Sequence, residues 1–256
     1  MKPYLLFLSL IVPILSVAQK TIKISYEQKF IYNETFFDQI PEDSREEVKS
    51  FMTAPTYFEL TNNGDFSLYE SVNTKEKVVA SKTESTPTNQ NLGMILKPFK
   101  VWYLKDFKRE ISTNSTSVSD KEYFVEAPFE QEELHYDSKT KIIDGYNCLS
   151  AYALKSNKDT IQYWYTQDIA VIDGPITPID IPGLVLSIES NKKVVYATKI
   201  EFFDDKLPIA TVPKSAIFIS KKELDILQAK YLEPESYVDE SGVKHESYSI
   251  QIKNDN

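Results

Sequence analysis

The stretch Thr56-Tyr57-Phe58-Glu59-Leu60-Thr61-Asn62-Asn63-Gly64-Asp65-Phe66-Ser67-Leu68-Tyr69-Glu70-Ser71 decides the class of fold. Two runs rich in aromatic and β-branched residues flank Asn62-Asn63-Gly64-Asp65. Asn-Gly between apolar runs is the strongest short-range hairpin signal, because both residues tolerate the positive φ that a tight hairpin turn demands. The stretch therefore reads as two antiparallel strands.

The same grammar continues on both sides. Thr21 to Tyr32 alternates, with Ile22, Ile24 and Tyr26 on one face and Lys23 and Ser25 on the other, which predicts a first strand. Asp43-Ser44-Arg45-Glu46-Glu47 starts a short helix with an acidic first turn and an apolar stripe of Val48, Phe51 and Met52, and Pro55 lies beyond its end. Residues 73–93 change to Asn, Thr, Lys, Ser, Glu, Pro and Gln, and read as a long mobile loop. Phe99–Tyr103 and Phe107–Ile111 look like paired strands, Ser112–Lys121 like a surface turn, and Glu122–Glu126 like the start of another strand. Further strands are expected at Leu134–Tyr136, Lys141–Ile143, Tyr146–Lys155, Thr160–Thr166, Leu184–Ser190 and Val194–Phe203, with Asp137–Thr140 as a turn. Lys221–Tyr231 reads as a helix with Leu224, Ile226, Leu227 and Tyr231 on its apolar side. No internal repeat is evident. The whole predicts a mainly β fold: one antiparallel sheet with two or three short helices.

The chain starts with an export signature. Lys2 is followed by an apolar stretch from Tyr4 to Leu15 and then by Ser16-Val17-Ala18. This matches a signal peptide of residues 1–18 cut after Ala18, and the stretch is shorter than the roughly 20 residues that span a bilayer. The organisation expected is therefore a signal peptide (1–18), a single β-rich domain (19–235) and a polar, loosely held tail (236–256). The mature chain of about 238 residues is expected to be soluble, in the periplasm or outside the cell. The formal charge is −9 overall and −10 once Lys2 is removed, a poor match to nucleic acid or anionic lipid.

Composition argues against the common catalytic designs. Cys148 is the only cysteine, so an internal disulfide is impossible, and no histidine lies in its segment. Of the two histidines, His245 lies in the polar tail and His135 in a strand-like segment with no marked partner. There is no His-x-x-x-His, no Cys-x-x-Cys and no Asp-x-Asp-x-Asp-Gly loop, so no metal site is expected. No glycine-rich phosphate loop is present either, and no cofactor is expected. Two carboxylates distant in sequence but close in space, the arrangement used by glycoside hydrolases, stay open as an alternative.

Residues 139–203 stand out. They hold three of the six glycines: Gly145 in Gly145-Tyr146-Asn147-Cys148, Gly174 in Asp173-Gly174-Pro175, and Gly183 in Ile181-Pro182-Gly183-Leu184-Val185. Trp164-Tyr165-Thr166-Gln167-Asp168-Ile169 lies among them. In order and spacing this set resembles the GLPGLI family of exported bacterial proteins, with Asp180 where that family's name-giving motif has its first glycine. The resemblance covers about a quarter of the chain. It implies no assigned reaction and no catalytic residues. It implies the architecture of exported lipoprotein carriers: a strongly curved, open, half-barrel-like sheet. Gly145, Tyr146, Cys148, Gly174, Pro175, Pro182 and Gly183 are then motif residues with structural roles.

The resulting expectation is a non-enzymatic binding or accessory protein of the cell envelope, holding an apolar ligand, a peptide or an outer-membrane protein. Tyr163, Trp164, Tyr165 and Leu184 are the candidate contact residues, and Trp164→Ala is expected to weaken binding without unfolding the chain. The alternatives are a hydrolase with dispersed carboxylates and a structural partner of an outer-membrane complex.

Overall fold

A computed structural model describes residues 21–38, 40–72, 77–81, 92–96, 100–118, 121–155, 159–232, 235–238 and 244–247. Residues 1–18, read as a signal peptide, lie outside the described residues, as does most of 236–256. Within 73–93, read as a mobile loop, Lys77–Ser81 (β4) pairs with Leu92–Leu96 (β5) in a two-stranded ribbon. The 236–256 region contributes a second ribbon, Glu235–Val238 (β15) with Lys244–Ser247 (β16).

The remaining strands form a single open sheet. They are β1 (Thr21–Phe30), β2 (Thr56–Asn62), β3 (Phe66–Val72), β6 (Trp102–Asp106), β7 (Ile111–Val118), β8 (Lys121–Pro128), β9 (Leu134–Ile143), β10 (Tyr146–Leu154), β11 (Thr160–Thr166), β12 (Leu184–Glu189), β13 (Lys193–Phe203) and β14 (Ile217–Phe218). The order across the 12-stranded sheet is β14-β8-β7-β6-β3-β2-β1-β13-β12-β11-β10-β9, so the two ends do not meet and the sheet does not close into a barrel. Every pairing is antiparallel except that of β14 with β8. The helices among the described residues are α1 (Glu34–Phe37), α2 (Glu42–Thr53) and α3 (Lys221–Leu232). Among those residues no helix is long and apolar enough to cross a membrane.

The deciding hairpin forms as read: Asn62 pairs with Ser67 and Glu59 with Glu70. Four local expectations are corrected. Phe107–Glu110 is a turn, with Glu110 at φ 55, and Ser112–Val118 is strand β7. In this Ser/Thr run Ser112 is buried opposite the buried Lys105, and Thr113 is buried opposite Leu104. Asp137–Thr140 is not a turn; β9 runs through it, and a register shift opposite Leu149/Ser150 absorbs the extra residues as a bulge. On α3, Leu224 and Leu227 pack inward, whereas Ile226 is 61% exposed.

Alternation divides the sheet into two faces. Ile22, Ile24 and Tyr26 of β1, Phe58 and Leu60 of β2, Tyr69 of β3, Tyr163 of β11 and Ile188 of β12 meet in one core cluster. The opposite face carries Lys23, Glu27, Tyr57, Glu59, Thr61, Glu70, Trp164, Ser187 and Tyr196.

The core face is curled around the connection between β11 and β12. Asp173 bridges to Leu184 at the start of β12, and the Val185 amide donates to its carbonyl at 2.8 Å. The Asp173 carboxylate accepts from Lys105 Nζ of β6 at 2.9 Å and from Asn62 Nδ2 of β2 at 2.7 Å. In the sheet order β6 lies five strands from β12. On a flat sheet that separation is about 24 Å, beyond the reach of a Lys and an Asp side chain, so the sheet must bend to bring them together. The bend encloses Ile169, Asp173, Thr177 and Ile181, all buried.

Candidate functional site

The polar face carries a shallow, open depression. The chain leaves β13 at Phe203 and returns to the sheet as β14, seven strands away. Its first part is tied down: Asn63 Nδ2 donates to the Leu207 carbonyl at 2.9 Å, and the Leu207 amide donates to Thr21 Oγ1 at 2.9 Å. Beyond that anchor, residues 207–210 pass over the outward side chains of β1, β2 and β3. The space between holds about 350 Å³ and is walled by Lys23, Glu59, Thr61, Leu68 and Glu70.

The chemistry of this cleft follows from hairpin register. Glu59 and Glu70 stand directly opposite each other on β2 and β3. Like charges in that position destabilise a sheet. Lys23 on β1 donates to Glu59 Oε1 at 2.7 Å, and Thr61 Oγ1 lies 3.5 Å from the same oxygen. Partial burial, and next the Glu59 charge, push the Glu70 carboxyl above its ordinary range, with Lys23 opposing. Donors from Lys23 and Thr61 thus stand beside two acceptors, with Leu68 on the strand side and Leu207, Pro208 and Ile209 on the overlying segment.

From Tyr57, one turn of pleat from Glu59, a row of register partners runs across the face to the sheet's edge. In order it is Tyr57, Glu27, Tyr196, Ser187, Trp164, Ser150 and Asp137. Tyr196 donates to Glu27 at 2.5 Å; this bond, and then the bond from Lys29, holds the Glu27 carboxyl below its usual range. Ser150 donates to Asp137 at 2.6 Å and accepts from Gln162 at 2.6 Å.

Of the candidate contact residues read from sequence, Tyr163, Trp164, Tyr165 and Leu184 are all buried, at 4%, 8%, 4% and 0% exposure. All four belong to one buried core cluster, and none lies on an open surface. Tyr163 is on the core face, where its hydroxyl donates to Glu132 at 2.9 Å; Trp164 is on the polar face. The motif residues occupy tight places. Gly145 sits at φ 82 in the β9–β10 turn, followed by the partly buried Tyr146. A Cβ on Gly183 would lie 2.3 Å from the Thr166 carbonyl oxygen, and one on Gly174 would lie 2.7 Å from Val185 Cβ. Pro175 is buried; Pro182 is exposed, its carbonyl accepting from Gln167 at 3.1 Å. Cys148 is fully buried, and burial pushes its thiol up to about 11.

The cleft residues were not identified from sequence, although the alternation of the deciding hairpin places Glu59, Thr61, Leu68 and Glu70 on one face. The Lys105–Asp173 pair, 68 residues apart, carries no sequence signal at all.

The family profile described as "N-glycanase peptide, N-terminal domain" matches residues 70–231, well over half of the chain. The chain belongs to this family. That finding corrects the GLPGLI resemblance, because the match covers the same motif region. A similar fold is seen in a crystal structure of PNGF-II in space group P21, with TM-score 0.50 and 17% identity over 86% of this chain. A second PNGF-II crystal form, in space group C2, gives TM-score 0.49 and 16% identity over the same 86%. The chain spans about a third of the length of these structures, covering 35% of each. No curated protein matches the chain.

Proposed function

We propose that this chain is an exported glycoconjugate-binding protein built on an N-glycanase N-terminal domain. Its ligand is an asparagine-linked glycan or the glycopeptide that carries it. Residues 1–18 direct export and 19–235 form one binding domain.

The observation that carries this reading is the cleft over β1–β3. Lys23 and Thr61 donors facing Glu59 and Glu70 acceptors beside apolar side chains complement a polyhydroxylated ligand, whose hydroxyls both donate and accept and whose ring faces are apolar. The match to an N-glycanase N-terminal domain supports a glycan as the class of ligand. The test is titration calorimetry of the mature chain against an asparagine-linked glycopeptide and against the same peptide without its glycan. The glycopeptide is expected to bind and the bare peptide not. Glu59→Gln with Glu70→Gln, which keeps shape and removes both charged acceptors, is expected to weaken binding about tenfold or more, one to two charge-assisted hydrogen bonds.

A specific observation favours a second reading, hydrolysis. Two facing carboxylates, one of them raised in pKa by burial, are the elements of acid–base bond cleavage. Mass spectrometry of the glycopeptide after prolonged incubation separates the readings. An unchanged mass supports binding alone; glycan release that disappears in Glu70→Gln supports hydrolysis.

A further inference from the structure

The cleft is one end of a longer surface. On the polar face, Trp164 of β11 and Ser187 of β12 are register partners, and Ser187 is in turn the partner of Tyr196 on β13. Trp164 is 8% exposed and Ser187 1%, yet neither the Trp164 Nε1–H nor the Ser187 Oγ has a hydrogen-bond partner. Buried polar groups are nearly always satisfied, and leaving one unmade costs about 1–3 kcal/mol. Two such groups on adjacent strands, on one face, mark a place where a ligand's polar atoms complete the set.

The surroundings say what kind of ligand. Trp164, Tyr196 and Tyr57 stand on β11, β13 and β2, every second strand of the sheet, along one row. Their spacing is about 10 Å per step, two inter-strand distances, close to the length of a disaccharide unit. Ser187 and Glu27 lie between them. Aromatic side chains alternating with hydroxyl and carboxylate groups at that spacing suit a chain of sugar rings, with apolar ring faces against the aromatics and hydroxyls reaching the polar groups between. An apolar ligand would leave the Ser187 hydroxyl unsatisfied, whereas Glu27 is already met by Tyr196 and Lys29. The Lys141 ammonium sits 4.8 Å above the Trp164 ring and is paired with Glu189. It occupies the position that a stacked sugar would take, so docking displaces it.

We infer that the row Trp164–Ser187–Tyr196 is a second saccharide-binding subsite, which extends the cleft at Glu59 and Glu70 so that an oligosaccharide lies across the strands of the polar face. Tyr57, next to Glu59, joins the two. The inference rests on the glycan-binding reading above.

The test uses the nitrogen-15-labelled mature chain and two probes: an asparagine-linked glycopeptide carrying a branched glycan, and the same peptide carrying one N-acetylglucosamine. The chain has only two tryptophans, Trp102 and Trp164, so the indole Nε1–H region holds two signals, assigned by Trp102→Phe and Trp164→Phe. The full glycopeptide is expected to shift the Trp164 indole signal, and the single-sugar peptide to leave it in place. Trp164→Phe keeps the packed ring and removes the donor; Ser187→Ala removes the hydroxyl. Each is expected to weaken the full glycopeptide about tenfold, the value of one buried hydrogen bond, while leaving the single-sugar peptide unaffected. Lys141→Ala, which uncovers the ring, is expected to bind the full glycopeptide several-fold tighter. Full-glycopeptide binding that is lost in Glu59→Gln with Glu70→Gln but never moves the Trp164 indole overturns the subsite and leaves the cleft standing. Equal weakening of both probes by Ser187→Ala also overturns it. Absence of binding by either probe overturns both readings.

Discussion

Replacing Lys105 with Met removes the cation from the enclosed connection between β11 and β12. Lys105 and Asp173 are 3% and 0% exposed and 2.9 Å apart. Lys105 also donates to the Gly174 carbonyl at 3.2 Å, and Asp173 accepts further from Asn62 and from the Gly174 amide at 2.8 Å. Without Lys105, a carboxylate with only two neutral donors is left in the interior. Breaking a buried pair by removing one partner costs about 3–5 kcal/mol, mostly from the stranded charge. For a domain of this size 1 kcal/mol corresponds to roughly 2–4 °C, so Tm should fall by about 6–20 °C. Asn62→Ala removes one hydrogen bond to the same carboxylate and should cost about 1.5–3 kcal/mol. The assay is urea unfolding of the mature chain followed by tryptophan fluorescence and by circular dichroism. Asp173→Asn in the Lys105→Met background should recover most of the loss, because no charge is then left stranded. If Lys105→Met lies within about 1 kcal/mol of the parent, the connection is not held by this pair, and the argument that the pair fastens the curl of the sheet fails.

Three further outcomes follow from separate places in the fold. Gly183→Ala puts a Cβ 2.3 Å from a backbone oxygen of β11, and should destabilise by at least the roughly 1–3 kcal/mol typical of overpacking; unchanged thermal unfolding would show that the β11–β12 contact relaxes freely. Because Glu70 has a raised folded pKa, its ionised form lowers stability above the ordinary carboxylate range, and that loss vanishes as pH falls through the folded value. Glu70→Gln should therefore raise Tm at pH 7 and converge with the parent near about pH 4, as thermal scans across pH would register. Cys148, held near 11, should carry about a hundredfold less thiolate at pH 8 than an unperturbed thiol and react with iodoacetamide only on unfolding, measured by mass spectrometry with and without urea.

The hairpin at 56–71 shows how far local pattern reaches. Asn62-Asn63-Gly64 sets the turn, the turn sets the register, and the register puts Phe58 and Leu60 into the core and Glu59 and Glu70 onto the opposite face. The fold class was legible for that reason. Ser112–Val118 was not, because its inward Ser112 is buried beside a charged side chain, and a polar strand in a polar interior has no hydrophobic alternation to read. The bulge in β9 was missed because Asp137-Ser138-Lys139-Thr140 has the composition of a turn while its neighbours force pairing. The family was misread at the glycine motifs. Gly183 answers a close backbone approach and Gly174 a close approach of side chains, local steric needs that different families meet with similar residues. The candidate site was the least legible part. Its walls come from β1, β2, β3 and residues 207–210, and only the path of the chain after β13 brings them together.

Saturation-transfer difference spectroscopy of an asparagine-linked glycopeptide with the mature chain tests the central claim most directly. The account predicts transfer concentrated on sugar protons, weakened when Glu59 and Glu70 are both Gln. Transfer confined to the peptide protons, or none at concentrations well above millimolar, would contradict it.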